Sequence, residues 1–384
     1  MIMKRHLDIS KLLEKSSYFL FGPRGTGKSY LIRNTLLGQS NSIDYIDLLN
    51  SRLFMQLQND PSQLANLADS STIVIDEVQR VPEILNEVHR LIEEKNKKFL
   101  LTGSSARKLR RNNTNMLAGR AYRAELFPLT WKELKDDGSF NLDKYLAIGG
   151  LPKAYIEDEG FDYLYAYIDT YLKEEIQAEA LARNLINYSR FLESAAGMSS
   201  EMINFTKVAN DAQLSPNTVR DYYKILEDTL LGYLLPPWTK SVKRKAIQTP
   251  KFYFADIGLV HALRNIEYLD RKSDLYGRAF EHFICNEIRA YLSYSGIRTP
   301  LYYWRSKSKF EVDFVIGNLA AIEVKAAGRV TQRDHKGLEA ISEEHNWQHL
   351  IVVSQDKQAQ LFSSGVRHQY WEEFLKDLWS GKIV

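Results

Sequence analysis

The chain has 384 residues, more than one compact core usually takes, and its 44% hydrophobic and 26% charged content is that of an ordinary soluble globular protein with two or three domains. Lys plus Arg is 51 against 48 for Asp plus Glu, so a net charge of +3 excludes a basic surface spread over the whole molecule and leaves room only for local patches. A single cysteine, Cys285, excludes an internal disulfide and an all-cysteine metal site, and its apolar helical surroundings predict a buried thiol.

Met1 to Ser17 alternates charge with Leu and Ile and has no apolar core followed by a cleavage site. No run reaches the roughly 18 apolar residues of a membrane span. Together these predict a cytoplasmic protein with no membrane contact.

Phe19 to Phe21 is strand-like, and Gly22, Pro23, Arg24, Gly25, Thr26, Gly27, Lys28 and Ser29 follow in the spacing G-x-x-x-x-G-K-[ST]. This is a phosphate-binding loop opening a helix that runs from Tyr30 to Leu37. Its glycines permit the turn that aims backbone N–H groups at phosphates, Lys28 is expected on the β- and γ-phosphates, and Ser29 on Mg²⁺. The cofactors predicted are therefore ATP and Mg²⁺. A strand and helix alternation follows through Ser42 to Asp47. Ser71 to Glu77 is then a β-branched run closed by two carboxylates, as in a buried parallel strand. Asp76 is expected to hold Mg²⁺ through water and Glu77 to polarise the attacking water.

Lys98 to Ala106 is a further strand ending in Thr102, Ser104 and Ser105, at the sheet edge where open α/β folds bind ligands. Here the chain resembles AAA-type ATPases, which implies that Ser104 or Ser105 senses the γ-phosphate. The stretch Leu117 to Trp131 resembles the one that follows this strand in a bacterial and archaeal AAA subfamily. That makes Arg120 and Arg123 candidates for stabilising phosphate charge, in cis or across a subunit interface, and each is equally read as a surface arginine.

Gly149, Gly150 and Pro152 end a helical pattern, expected as the small helical lid of the ATPase. Tyr163, Tyr167 and Tyr171 form a stripe at i, i+4 and i+8 that predicts packing rather than base stacking. From Asn204 to Leu235 short helices take over, one beginning with Ser215 as cap and Pro216 at its first position. With the following Leu-rich strand and basic hairpin they resemble a winged helix. Asn217, Thr218, Arg220 and Lys224 would lie on its recognition helix and Lys240, Lys243, Arg244 and Lys245 on its wing, for DNA contact or for scaffolding.

In the last third, an amphipathic helix carries Glu281, and two strands joined at Gly317 and Asn318 carry Asp313, Glu323 and Lys325. Glu323 and Lys325, two apart, share a face. Converging carboxylates beside a lysine can bind Mg²⁺ and activate water for phosphodiester cleavage. This resembles the PD-(D/E)XK nuclease core, with Val312 where many members have Pro. Alternatively Lys325 is itself the counter-charge and the site is a structural ion pair.

Taken whole, the chain resembles a prokaryotic family that pairs an AAA ATPase with a C-terminal domain of unknown function. The fold expected is α/β: a P-loop NTPase parallel sheet at 1–135, a helical lid at 136–187, a winged helix at 188–250 and a restriction-endonuclease-like domain at 251–384. Two functions follow: ATP hydrolysis coupled to DNA binding or metal-dependent cleavage, or an ATP-dependent switch that recruits a protein partner, with homo-oligomers possible in either case.

Overall fold

The computed structural model describes residues 3–37, 43–103, 117, 119–177, 182 and 184–384. They form two compact units, 1–129 with 228–231, and 130–227 with 232–384.

The first unit is built on five parallel strands, β1 (Ser17–Phe21), β2 (Ile43–Asp47), β3 (Thr72–Asp76), β4 (Lys98–Gly103) and β5 (Ala121–Glu125), in the order β2-β3-β4-β1-β5. Apolar runs with no alternation suit strands covered on both faces, and Ile73, Val74, Ile75, Phe99, Leu100 and Leu101 are all fully buried. Helices at Ser51–Asn59 and Ile84–Lys95 cover the sheet, the second placing Ile84, Leu85, Val88 and Leu91 in its core. Parallel pairing brings the ends of β1, β3 and β4 to one edge, so the loop after β1 faces the carboxylates after β3. The Lys28–Ile32 helix continues as a wide turn over Arg33–Leu37.

The second unit opens with helices from Trp131 to Gln177, including the lid stretch. Tyr167 and Tyr171 are buried here, and the Tyr171 hydroxyl meets that of Tyr188 at 3.0 Å, so the tyrosine stripe packs. Three helices follow, Leu185–Gly197, Phe205–Ala212 and Pro216–Asp228, the last capped by Ser215 Oγ accepting from Thr218 N at 3.1 Å. Strands β6 (Gly232–Leu235) and β7 (Lys251–Phe254) then pair antiparallel.

The remainder is a mixed sheet of β8 (Leu301–Arg305), β9 (Glu311–Ile316), β10 (Ala320–Lys325), β11 (His349–Ser354), β12 (Gln360–Leu361) and β13 (Arg367–Tyr370), ordered β12-β13-β11-β10-β9-β8. The Asp274–Tyr294 helix packs on it and buries Cys285. The β9–β10 turn takes in Leu319 as well as Gly317 and Asn318, since Ile316 pairs with Ala320.

The segment between β6 and β7 is not a free hairpin. Trp238 N donates to Tyr303 O at 2.6 Å and Ile247 N to Arg305 O at 2.8 Å, so the segment runs along β8, anchored by buried Trp238 and Ala246. Arg244 pairs with Glu343 and Glu344, each at 3.1 Å, while Lys240, Lys243 and Lys245 stay exposed. Among the described residues, no helix is long and apolar enough to cross a membrane.

Candidate functional site

The loop after β1 is held by its own backbone and by a residue far from it in sequence. Gly25 and Gly27 have φ of 79° and 88°, where a side chain is strained, and a Cβ on Gly22 would stand 2.4 Å from Leu126 O. Buried Arg5 donates to Thr26 O at 2.6 Å and to Phe127 O at 2.7 Å, tying the loop to the chain after β5. Thr26 Oγ1 donates to Pro23 O at 2.8 Å. Lys28 is buried inside the loop, with Nζ donating to Gly22 O at 2.7 Å and Pro23 O at 3.1 Å. Arg24 and Tyr30 lie exposed on the rim.

Opposite the loop, Asp76 collects hydroxyls. Ser29 Oγ donates to its Oδ2 at 2.8 Å, Tyr45 Oη to the same oxygen at 2.6 Å, and Thr102 Oγ1 to Oδ1. Burial, reinforced by Asp76, pushes the Tyr45 hydroxyl well above its ordinary range, so Tyr45 stays a donor. Glu77 follows with φ 61°, a left-handed backbone that costs a non-glycine residue roughly 1–2 kcal/mol. Its N donates to Thr102 Oγ1 at 3.2 Å and its carboxylate accepts from Gln79 Nε2. The strand–loop–helix of residues 17–32 and the carboxylates after β3 thus share one edge. Ser29 and Asp76 together suit a hard divalent cation, an oxygen-only donor pair of the kind Mg²⁺ takes beside nucleotide phosphates. Sequence reasoning missed Arg5, Tyr45 and the bracing role of Thr102; the hydroxyl at the end of β4 was the only local sign. Ser104 and Ser105 lie outside the described residues.

The arginines sit elsewhere. Register pairs Ser17 with Ala121, so Arg120 stands where β1 begins, a strand length of roughly 16 Å from the loop that leaves its end. Arg120 pairs with Glu93 of the Ile84–Lys95 helix. Arg123 lies along the outer strand, 5.3 Å over the Phe21 ring. Geometry therefore does not bring Arg120 to the phosphate loop of its own chain.

A second constellation lies in the second unit. Asp313 on β9 accepts from Val324 N of β10 at 2.9 Å through Oδ2, and Lys325 Nζ reaches Glu323 Oε1 at 2.5 Å. Glu281 accepts from Tyr253 Oη at 2.5 Å. All four anticipated residues approach one another, and a fifth residue joins them. Lys251 on β7, 4% exposed, holds its Nζ 2.9 Å from Glu311 Oε1, 3.4 Å from Glu281 Oε1 and 3.7 Å from Asp313 Oδ1. Burial opposes its charge, yet Glu281, Asp313 and Glu311 outweigh that and hold its ammonium well above the usual lysine range. Burial raises Glu281 to about 7 against the pull of Lys251, and burial beside Asp313 raises Glu323 well above the carboxylate range. Among the described residues, no group of three or more His, Cys, Asp or Glu is arranged to hold a metal ion.

The parallel sheet, its phosphate loop and the carboxylates at its edge define an AAA-type ATPase domain. Family models agree and extend the picture: an AAA domain matches residues 14–135, a domain of unknown function (DUF8612) residues 139–270, and a second (DUF4143) residues 276–371. The chain is thus an N-terminal AAA-type ATPase domain fused to two domains of unknown function. Uncharacterized proteins of Mycobacterium tuberculosis and Mycobacterium bovis are each 29% identical over 305 residues, covering 77% of this chain and 66% of the relative. The chain therefore spans a little under two-thirds of their length. An uncharacterized protein of Methanocaldococcus jannaschii is 23% identical over 344 residues, covering 82% of this chain and 75% of the relative. Among solved structures, the Aeropyrum pernix ORC2 protein in its ADP form aligns over 70% of this chain and 94% of that one at 14% identity, with a TM-score of 0.36. At that score the alignment carries no argument.

Proposed function

We propose that the protein binds Mg²⁺·ATP at the loop Gly22–Ser29 and hydrolyses it, using the turnover to switch the state of its second unit toward a partner. The observation that carries this reading is the Asp76 network. Ser29, Tyr45 and Thr102 hold the carboxylate at the loop's edge, and Glu77 stands beside it on a strained backbone of the kind that collects at working sites. Lys28, whose ammonium rests on two loop carbonyls, would exchange them for the β- and γ-phosphates; Ser29 and Asp76 would hold Mg²⁺, which supplies charge neutralisation. Glu77 would orient the attacking water. Arg120, at the far edge of the sheet, serves a phosphate only across an interface between copies, which makes a homo-oligomer part of the proposal. Lys28→Ala should abolish ATP binding or turnover, measured by nucleotide titration and phosphate release; parent-level turnover would sink the assignment.

A reading of the partner as DNA is favoured by the Pro216–Asp228 helix, on which Asn217, Arg220 and Lys224 are exposed. Three helices followed by a two-stranded pair support a winged-helix description, with the helix as reader. The basic segment 240–245 supports it less, because Arg244 is committed to Glu343 and Glu344. Charge reversal at Arg220 and Lys224 should weaken DNA binding and flatten its dependence on log salt. An unchanged affinity and slope would favour a protein partner.

A further inference from the structure

The order of the second unit, a helix bearing Glu281 and then antiparallel strands bearing Asp313, Glu323 and Lys325, is what a nuclease core would need, and such a core works through a divalent cation. The residues present do not fit that cation. Strand alternation puts Lys251 and Tyr253 on one face of β7 and Phe252 and Phe254 on the other. Lys251 and Tyr253 both reach Glu281 Oε1, at 3.4 Å and 2.5 Å. The same ammonium stands 2.9 Å from Glu311 Oε1 and 3.7 Å from Asp313 Oδ1. The other oxygen of Asp313 is taken by Val324 N, the second of Glu311 by Arg305 at 3.2 Å, and Glu323 Oε1 by Lys325.

We infer that Lys251 is the resident cation of this carboxylate cluster, its ammonium standing where a divalent ion would bind, so that the folded chain excludes Mg²⁺ and Mn²⁺ from the site. The inference goes beyond the ATPase reading and does not depend on it. One oxygen, Glu323 Oε2, is buried without a hydrogen-bond partner. Its sister oxygen is paired with Lys325, whose ammonium already supplies this carboxylate with a counter-charge. Ammonium and metal are mutually exclusive here: both need the inward oxygens of Glu281 and Asp313, and two buried cations sharing those oxygens would repel.

The test uses the full chain free of nucleotide, in an Asp76→Asn background so that the ATP site takes up no metal. Mn²⁺ uptake is read by loss of the free-ion resonance signal, and the melting temperature is read with and without millimolar Mn²⁺. The chain with Lys251 intact should show no saturable uptake and no thermal shift. Lys251→Ala, which removes the ammonium and opens its space, should gain saturable uptake and a metal-dependent rise in melting temperature. Asp313→Asn added to it should abolish both. If Lys251→Ala does not fold, Lys251→Ala with Glu311→Gln relieves the repulsion while keeping Glu281 and Asp313 for the ion, and should gain the same thermal response. Uptake by the chain with Lys251 intact that Asp313→Asn removes overturns the inference, and so does a folded variant lacking Lys251 that ignores Mn²⁺.

Discussion

Asp76 and Glu77 are neighbours in sequence with different surroundings, and that difference separates their roles. Three hydroxyls donate to Asp76, which fixes the carboxylate in place and aims it for a cation. Glu77 receives one side-chain amide and is turned away from the strand by its left-handed backbone. Glu77→Gln should therefore leave ATP affinity near the parent value and slow hydrolysis by about 10²–10⁴-fold, the usual worth of a positioned base. Lost affinity in a folded variant, seen by nucleotide titration, would show that Glu77 holds the ligand instead. At this scale the sequence was legible wherever chemistry sits on contiguous residues: the phosphate loop, the paired carboxylates, the E-x-K of Glu323 and Lys325. Arg5, Tyr45 and Lys251 were not, because each earns its place through partners 20 or more residues away, and a lone Arg, Tyr or Lys in a strand or near a terminus carries no local mark.

Between elements, the two turns Gly149-Gly150 and Asp256-Ile257-Gly258 explain each other. Asp256 is buried, accepting from Gly150 N at 2.7 Å and from Gly258 N at 2.8 Å, and so clasps the turn after the Leu142–Ile148 helix to the start of the Ile257–Leu263 helix. Gly149 has φ 78°, and a Cβ there would fall 1.9 Å from Asp256 Oδ1. Gly149→Ala should lower the melting temperature, backbone strain alone costing roughly 1–2 kcal/mol of stability before the clash is counted, while nucleotide affinity is kept. An unchanged melting temperature would mean the clasp bears no load. The helices and strands themselves were readable from periodicity and caps, as Ser215 and the buried run of β3 illustrate. The course of residues 236–247 was not, since its bonds go to Tyr303, Arg305 and Glu344, and a basic stretch after a strand looks the same whether it is free or spliced onto a sheet.

For the molecule as a whole, buried carboxyls set the response to pH. Glu287, 1% exposed, accepts from Trp131 N at 2.6 Å and Trp379 Nε1 at 2.9 Å, yet burial raises it to about 8 against those donors. A folded pKa above the unfolded value means that the folded state keeps a proton the unfolded chain has released, so the stability it contributes is present below 4.5 and lost as pH rises through about 8. The buried imidazole of His282, driven down to about 3 by burial, acts in the opposite sense, but only below its ordinary 6.5. Between 6.5 and about 8 Glu287 lowers the unfolding free energy with rising pH by at most about 1.4 kcal/mol per pH unit, Glu281, raised to about 7, and Glu323, raised well above the carboxylate range, add in the same sense, and the urea midpoint should fall. A midpoint that is level or rising across that window would show that these buried carboxyls, Glu287 among them, are ionised throughout.

Lys251 lies at the start of β7, one residue after Pro250, where a reader of the sequence would naturally cut the chain in two. A fragment beginning just past it would carry Glu281, Glu311, Asp313 and Glu323 with their ammonium left behind on the other piece. Such a fragment would present the inward oxygens of Glu281 and Asp313 to the buffer without the ammonium that fills the space between them, and would take up divalent ions readily. Its appetite for metal would be an artefact of the scissors, a property of the cut and not of the protein.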